Sequence, residues 1–315
     1  MQIVITDGYT LNPGDLSWEV FKQLGDIVYY DRTPADKTME RCRNATVIIT
    51  NKTPITSQVI AAAAQLKVIA VIATGYNVVD TVAAKERNIP VCNVPVYGTN
   101  TVAQHTFALL LELANHVGKH AQSVIDGDWI RSADWSYTKT PVIELSGKVL
   151  GIIGFGRIGQ QTANIARAFG MQVIYYDRLN KRAVEDAVSL KELLDKSDFI
   201  SLHCLLTADN NSMINSEFLS AMKPTAFLIN TSRGQLINEN DLADALKNHV
   251  IAGAALDVLS AEPPAGDNPL IGLTNCIITP HNAWTSFEAR QRIMQTTFNN
   301  VKNALAGDPQ NVVNR

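Results

Sequence analysis

VLGIIGFGRIG, residues 149–159, sets a short apolar, β-branched run directly against the pattern GxGxxG. Glycines are common at tight turns, so the pattern by itself says little. Its surroundings say more: the run VLGII reads as a buried strand, residues 157–169 read as a helix, and Gly170 supplies a stop. In that setting Gly154 makes the sharp turn, Gly156 lets a pyrophosphate approach the backbone, and Gly159 lets helix lie close on strand. The helix start offers N–H groups and positive dipole to an anion. The next strand-like run, 172–176, ends at Asp177, about 20 residues beyond the loop. A carboxylate there accepts from ribose hydroxyls and repels a 2′-phosphate, which favours NAD over NADP; Arg178 beside it weighs the other way. The competing reading is a structural glycine turn with a strand-end Asp.

Working outward, apolar β-branched runs alternate with helical stretches over nearly the whole chain. That predicts α/β architecture with parallel sheets of βαβ units. Strands are expected near 2–6, 26–30, 46–50, 67–72 and 90–94 in the first part. Helices are expected between them, two of which start at the turns Asn12-Pro13-Gly14 and Thr53-Pro54. No glycine-rich phosphate loop occurs in this part. A helix over 101–119 follows, with Thr101-Val102-Ala103-Gln104 as a capping box. Residues 120–147 then read as irregular, an excursion long enough to serve as an arm or lid. The second sheet is expected near 149–153, 172–176, 198–202, 226–230, 251–256 and 276–279, and 285–306 reads as one long helix. The expected organisation is two Rossmann-like, doubly wound domains with an interdomain cleft. One is a discontinuous substrate-binding domain, 1–98 plus 285–315; the other is the NAD-binding domain 99–284, with a dimerisation arm at about 101–147.

With 315 residues, two domains fit better than one. The apolar share of 46%, the charged share of 18% and a net charge of −3 give no sign of a nucleic-acid or anionic-membrane partner. The longest apolar run, about 68–73, falls far short of a membrane helix. The N-terminus has no secretory-signal pattern, and the four scattered cysteines show no zinc spacing. A cytoplasmic protein is the expectation.

Arg233, Asp257 with Glu262, and His281 each fall just after an expected strand of the second sheet. Ligands of open α/β sheets bind outside the carboxyl ends of strands, so these residues should converge. Hydride transfer to a 2-keto acid needs a cation for the carboxylate and carbonyl, a proton donor for the developing alkoxide, and a group that keeps the donor charged. Arginine suits the first task and histidine the second. Glu262 would favour the imidazolium. Singly, each has an ordinary reading: a surface ion pair for Arg233, a loop carboxylate for Glu262, a structural histidine for His281. Their shared position at strand ends argues for the site.

Six segments carry a resemblance along essentially the whole chain: ATGYNVVD (73–80), TVAQHT (101–106), LSGKVLGIIGFGRIG (145–159), INTSRG (229–234), ALDVLSAEPP (255–264) and TPHNAW (279–284). With these the chain resembles the D-isomer-specific 2-hydroxyacid dehydrogenases. The resemblance implies Arg233 as the substrate-orienting arginine, His281 as acid/base and Glu262 as its partner. It also implies that Gly75 and Tyr76 receive the substrate carboxylate. Arg157, Ile158, Asp177, Thr207, Thr231, Ser232 and Asp257 join Gly154, Gly156 and Gly159 on NAD, and the protein pairs as a homodimer through the cofactor domain. Asn77, Gln104 and Leu205 depart from the common Asp, Glu and Pro of the family. Gln104 and the aromatic arm look most like the glycerate dehydrogenase/hydroxypyruvate reductase branch, implying a hydroxypyruvate/D-glycerate substrate. A D-lactate-type or phosphoglycerate dehydrogenase is the alternative within the family, and an NAD-sensing corepressor-like binding protein the alternative from another class.

Other residues invite a role. His116 and His120 have the i, i+4 spacing of a metal pair, but no third ligand is evident and no metal is expected. Lys52 follows a strand and reads better as a surface lysine than as a substrate contact. Trp135 either covers a partner's active site or packs within the arm.

Overall fold

The computed structural model describes residues 1–178 and 186–315. The chain divides into two compact units, Met1–Tyr97 with Thr285–Arg315, and Gly98–Trp284.

In the first unit, β1 (Gln2–Ile5), β2 (Asp26–Tyr29), β3 (Val47–Thr50), β4 (Val68–Val71) and β5 (Val91–Cys92) form a parallel sheet in the order β2-β1-β3-β4-β5. β3 and β4 are buried at every position, as expected of a sheet covered on both faces. The helices α1 (Ala35–Cys42), α2 (Ser57–Ala62) and α3 (Thr81–Glu86) lie between strands. Thr56 and Asp80 cap α2 and α3 by accepting from the N–H groups of Val59 and Ala83. The C-terminal helix, Phe287–Leu305, packs on β4 and β5. Its Arg290 reaches Asp15 with two 2.6 Å bonds.

The expected helix after Asn12-Pro13-Gly14 does not form. Only two short 3-10 turns, Gly8–Thr10 and Glu19–Gln23, separate β1 from β2. The Asn12 carboxamide accepts from the N–H groups of Gly14 and Leu16 and donates to Leu16 O. It thereby holds the loop in place of helical bonds.

In the second unit, helix α4 (Thr99–Asn115) leads into α5 (Val117–Ile125). This corrects the single helix expected over 101–119. His116 between them adopts a left-handed backbone, φ 49°; it ends α4 and lets α5 leave in a new direction. The expected capping box is absent as well. The helix starts earlier, with Gly98 at its N-cap and no capping side chain, and Thr101, already inside it, donates its hydroxyl to Ala283 O. Irregular chain begins after α5 rather than at 120.

The sheet of this unit has β6 (Val149–Ile153), β7 (Gln172–Tyr176), β8 (Phe199–Leu202), β9 (Phe227–Asn230), β10 (Gly253–Leu256) and β11 (Cys276–Ile278). All pairs are parallel, in the order β11-β10-β9-β8-β6-β7. The chain leaves β6 for β7 on one side and returns to β8 on the other, so the topological switch point lies between β6 and β8. One sheet face packs Ile153, Leu202, Leu228 and Leu256 into a core with Leu242 and Leu246. The opposite face packs Leu150, Ile152, Phe199 and Phe227 with Leu110, Ala163 and Ala166. Each fully buried Leu or Ile contributes about 1.5–3 kcal/mol.

Candidate active site

Because the six strands of the second unit run parallel, their carboxyl ends share one edge of the sheet. The residues of this unit proposed for catalysis and for the cofactor lie at or just beyond that edge. Gly154 follows β6, Asp177 follows β7, Thr207 lies in the loop after β8, Thr231 to Arg233 follow β9, Asp257 and Glu262 follow β10, and His281 follows β11. Gly75 and Tyr76 belong to the first unit, in the loop after β4, where Tyr76 is exposed.

The glycine loop has the form an anion cradle requires. Gly154 takes φ 93°, and a Cβ on it would meet the backbone N of Cys204 at 2.5 Å, across the switch point. A Cβ on Gly156 would meet nothing within 4 Å, so its face is open to a ligand. Helix α6 (Arg157–Ala168) starts there without a side-chain cap, and a pyrophosphate can take that place. Phe155 stacks on Tyr175 at 3.8 Å between centroids, and its N–H donates to Asp177 Oδ2 at 2.9 Å. That bond ties the ribose-binding candidate to the phosphate loop. Arg178 is paired with Asp209 at 2.7 Å. Asp209 lies in a 3-10 turn that Thr207 and Asn210 cap reciprocally. The residues present fit a dinucleotide with an unphosphorylated 2′-hydroxyl.

At the other strand ends, Thr231 Oγ1 lies 3.0 Å from Thr106 Oγ1 of α4, and Ser232 Oγ donates to Leu202 O at 2.8 Å. Asn230, at the end of β9, closes the following turn by accepting from Ser232 N and donating to Arg233 O. Arg233 itself is exposed. Gly234 behind it is obligatory, since a Cβ there would sit 1.9 Å from Leu259 C. His281 Nδ1 meets Glu262 Oε2 at 2.6 Å, with the two side chains 33% and 37% exposed. Glu262 Oε1 accepts from Leu259 N at 3.1 Å, which fixes the carboxylate against its own loop. The Nδ1 proton therefore points at Glu262, leaving Nε2 as the nitrogen that can trade a proton with a substrate.

Asp257, expected on the cofactor, turns its carboxylate to the segment after β11: it accepts from Thr279 Oγ1, Asn282 N and Ala283 N. Sequence reasoning also missed Asp7, which follows the first strand of the first unit. Its buried carboxylate accepts from the N–H groups of Asn51, Lys52 and Thr53, so the backbone of Lys52 is held from the end of β1. An acid close after a buried strand was the available signal. His120 cannot serve a metal, because Nδ1 bonds His116 O and Nε2 accepts from Lys139 N. Among the described residues no group of three potential ligands occurs.

Residues 107–283 match the NAD-binding domain of the D-isomer-specific 2-hydroxyacid dehydrogenases. The chain belongs to this family. The dehydrogenase is 48% identical to a hydroxypyruvate reductase of Blautia hydrogenotrophica over the whole of both chains. It is 41% identical to a glycerate dehydrogenase of Methylorubrum extorquens over 88% of each. A crystal structure of a Thermus thermophilus protein superposes with a TM-score of 0.88, at 34% identity and 98% coverage of each chain. The dehydrogenase is thus an oxidoreductase with NAD as its cofactor, and its NAD-binding domain lies in the second unit.

Proposed function

We propose that the dehydrogenase reduces hydroxypyruvate to D-glycerate with NADH. The observation that carries this reading is the 2.6 Å contact between His281 Nδ1 and Glu262, formed at the same sheet edge as Arg233. The names of the two relatives, a hydroxypyruvate reductase and a glycerate dehydrogenase, support the choice of keto acid. NADH, when bound, supplies the hydride that adds to the keto carbon. Gly154, Gly156, Arg157, Ile158, Gly159, Asp177, Thr207, Thr231 and Ser232 are the residues proposed to hold it.

Arg233 binds the substrate carboxylate and draws electron density toward the carbonyl oxygen. His281 releases its Nε2 proton to that oxygen as the alkoxide forms, and Glu262 stabilises the imidazolium that precedes this release. In the reverse direction neutral His281 takes the hydroxyl proton back. Asp177 selects NAD, since it would lie against a 2′-phosphate, and Asp209 keeps the neighbouring Arg178 occupied.

His281→Ala is expected to lose turnover, followed through NADH absorbance, while retaining NADH binding by fluorescence titration. Parental turnover would show that another group is the acid/base. Assays with hydroxypyruvate, glyoxylate, pyruvate and phosphohydroxypyruvate, each with NADH and NADPH, test the substrate and cofactor preferences. A higher kcat/KM for any acid other than hydroxypyruvate overturns the substrate.

We further infer a homodimer formed through the segment after α4. Ile130 and Trp135 there are each 88% exposed, with Val117, Ile125 and Trp129 also exposed, a set of apolar side chains that a partner copy would cover. Ile130→Asp should sediment as a monomer, and an unchanged mass would exclude this face. Four free cysteines support a reducing, cytoplasmic location, which cell fractionation tests.

A further inference from the structure

Asp257 is 1% exposed, and the bonds it accepts explain its burial. Its carboxylate holds Thr279 Oγ1 at 2.6 Å, Asn282 N at 2.9 Å and Ala283 N at 2.9 Å. Its main-chain oxygen takes His281 N at 2.8 Å. One residue at the end of β10 thus grips the strap 279–283 at four points, with His281 in the middle. The strap is itself neither helix nor strand, so these bonds set its path.

A second layer lies behind this one. A threonine hydroxyl has a single proton, and an ionised carboxylate only accepts, so the Thr279–Asp257 bond consumes that proton. His105 of α4 brings Nε2 to 3.2 Å from Thr279 Oγ1 and 3.5 Å from Asp257 Oδ1. The hydroxyl can only accept from the imidazole, so Nε2 carries a hydrogen. Donation therefore runs one way, from His105 to Thr279 to Asp257. Thr101, four residues earlier on the same helix face, holds the far end of the strap through Ala283 O.

We propose that His105 and Thr279 are positioning residues for the acid/base: by orienting Asp257 they set the strap so that the His281 ring meets Glu262. This rests on the reading of His281 as the acid/base. A residue that merely filled space would be replaceable by any side chain of similar size, whereas a donor would not.

The test compares His105→Leu, which keeps bulk and loses the donor, with His105→Gln, which restores an N–H at similar reach, and with Thr279→Val. Kinetics are measured across pH, alongside NADH binding and melting temperature. His105→Leu and Thr279→Val should each lower kcat by about 10- to 100-fold, the scale of a small misplacement of a reacting group, with NADH binding preserved. His105→Gln should recover most of the loss. The double variant should be no worse than the poorer single one, since the two residues act as one unit. The high-pH limit of reduction in His105→Leu should also move down, toward that of Glu262→Gln, because the His281–Glu262 contact is loosened. Parental kcat in His105→Leu, or equal losses in the Leu and Gln variants, would overturn the proposal. If His105→Leu does not fold, Thr279→Val decides alone, and parental kcat in it overturns the proposal. His281→Ala run in parallel separates the two readings. Turnover in that variant removes the acid/base assignment, whereas its loss together with a fully active His105→Leu removes only the positioning role.

Discussion

His281 has φ 52°, a left-handed conformation that few non-glycine residues adopt, and its N–H is held between the carbonyls of Asp257 and Thr279. The ring therefore points where the strap sends it, and Glu262 is the group it meets. Glu262→Gln preserves the shape of that partner while removing its charge. The high-pH limit of reduction should then move down, because the imidazolium loses its counter-charge. A pH–rate profile superimposable on the parent's would end the proposed role of Glu262. Arg233, Glu262 and His281 were legible in sequence because each closely follows an apolar strand, and a strand end is a local feature. The partners that hold them were not. His105 and Thr279 are separated by 174 positions, and a hydrogen bond over that distance leaves no local pattern. Asp7 is a similar case, since its accepting bonds reach 44 to 46 positions along the chain.

At the scale of elements, the strands were readable to within a residue or two, because runs such as VIIT and FISL are buried throughout and carry no polar alternation to confuse their ends. Helix limits were harder. Thr101 looked like a cap because its hydroxyl suits one, yet that hydroxyl is used by a carbonyl distant in sequence. The break at His116 depends on one left-handed residue, a state that Asn and His reach more readily than most; Asn115-His116 was the only hint. Together, Thr101, His105 and Thr106 give α4 one face that bonds the loops after β9 and β11. The glycine turns offer a contrast that binding and folding can separate. Gly156→Ala should leave the melting temperature within about 2 °C, since its Cβ meets nothing and surface changes cost within about 0.5 kcal/mol. It should weaken NADH binding by at least about tenfold by crowding the pyrophosphate. Gly234→Ala should instead destabilise by about 1–3 kcal/mol through overlap with Leu259. Calorimetry and NADH titration on the pair check both, and equal melting temperatures would refute the contrast.

For the whole molecule, pH acts on stability through His203, which bonds Ser201 Oγ at 2.9 Å and which burial holds down at about 4 against an ordinary 6.5. A depressed value means that the unfolded chain binds the proton first. The stabilisation is complete above pH 6.5 and is lost as pH falls toward 4. Between pH 7 and 4.5 the loss amounts to about 2–3 kcal/mol. His203→Gln should flatten that part of the urea-denaturation profile, and an equally steep fall in parent and variant would locate the acid sensitivity elsewhere. The first unit is assembled from the two ends of the sequence, Met1–Tyr97 and Thr285–Arg315. Its sheet is written in the first 97 residues, but the helix that covers β4 and β5, the Arg290 that clasps Asp15, and the Val312 that pairs with Cys92 arrive after residue 284. On the ribosome, then, the order of completion reverses the order of synthesis. Residues 98–284 are contiguous and can close first, while the earlier-made sheet waits with an uncovered apolar face. A nascent chain arrested beyond Trp284 should resist protease over 98–284 and be cut within 1–97. Equal resistance in both would mean that the early sheet closes without its last helix.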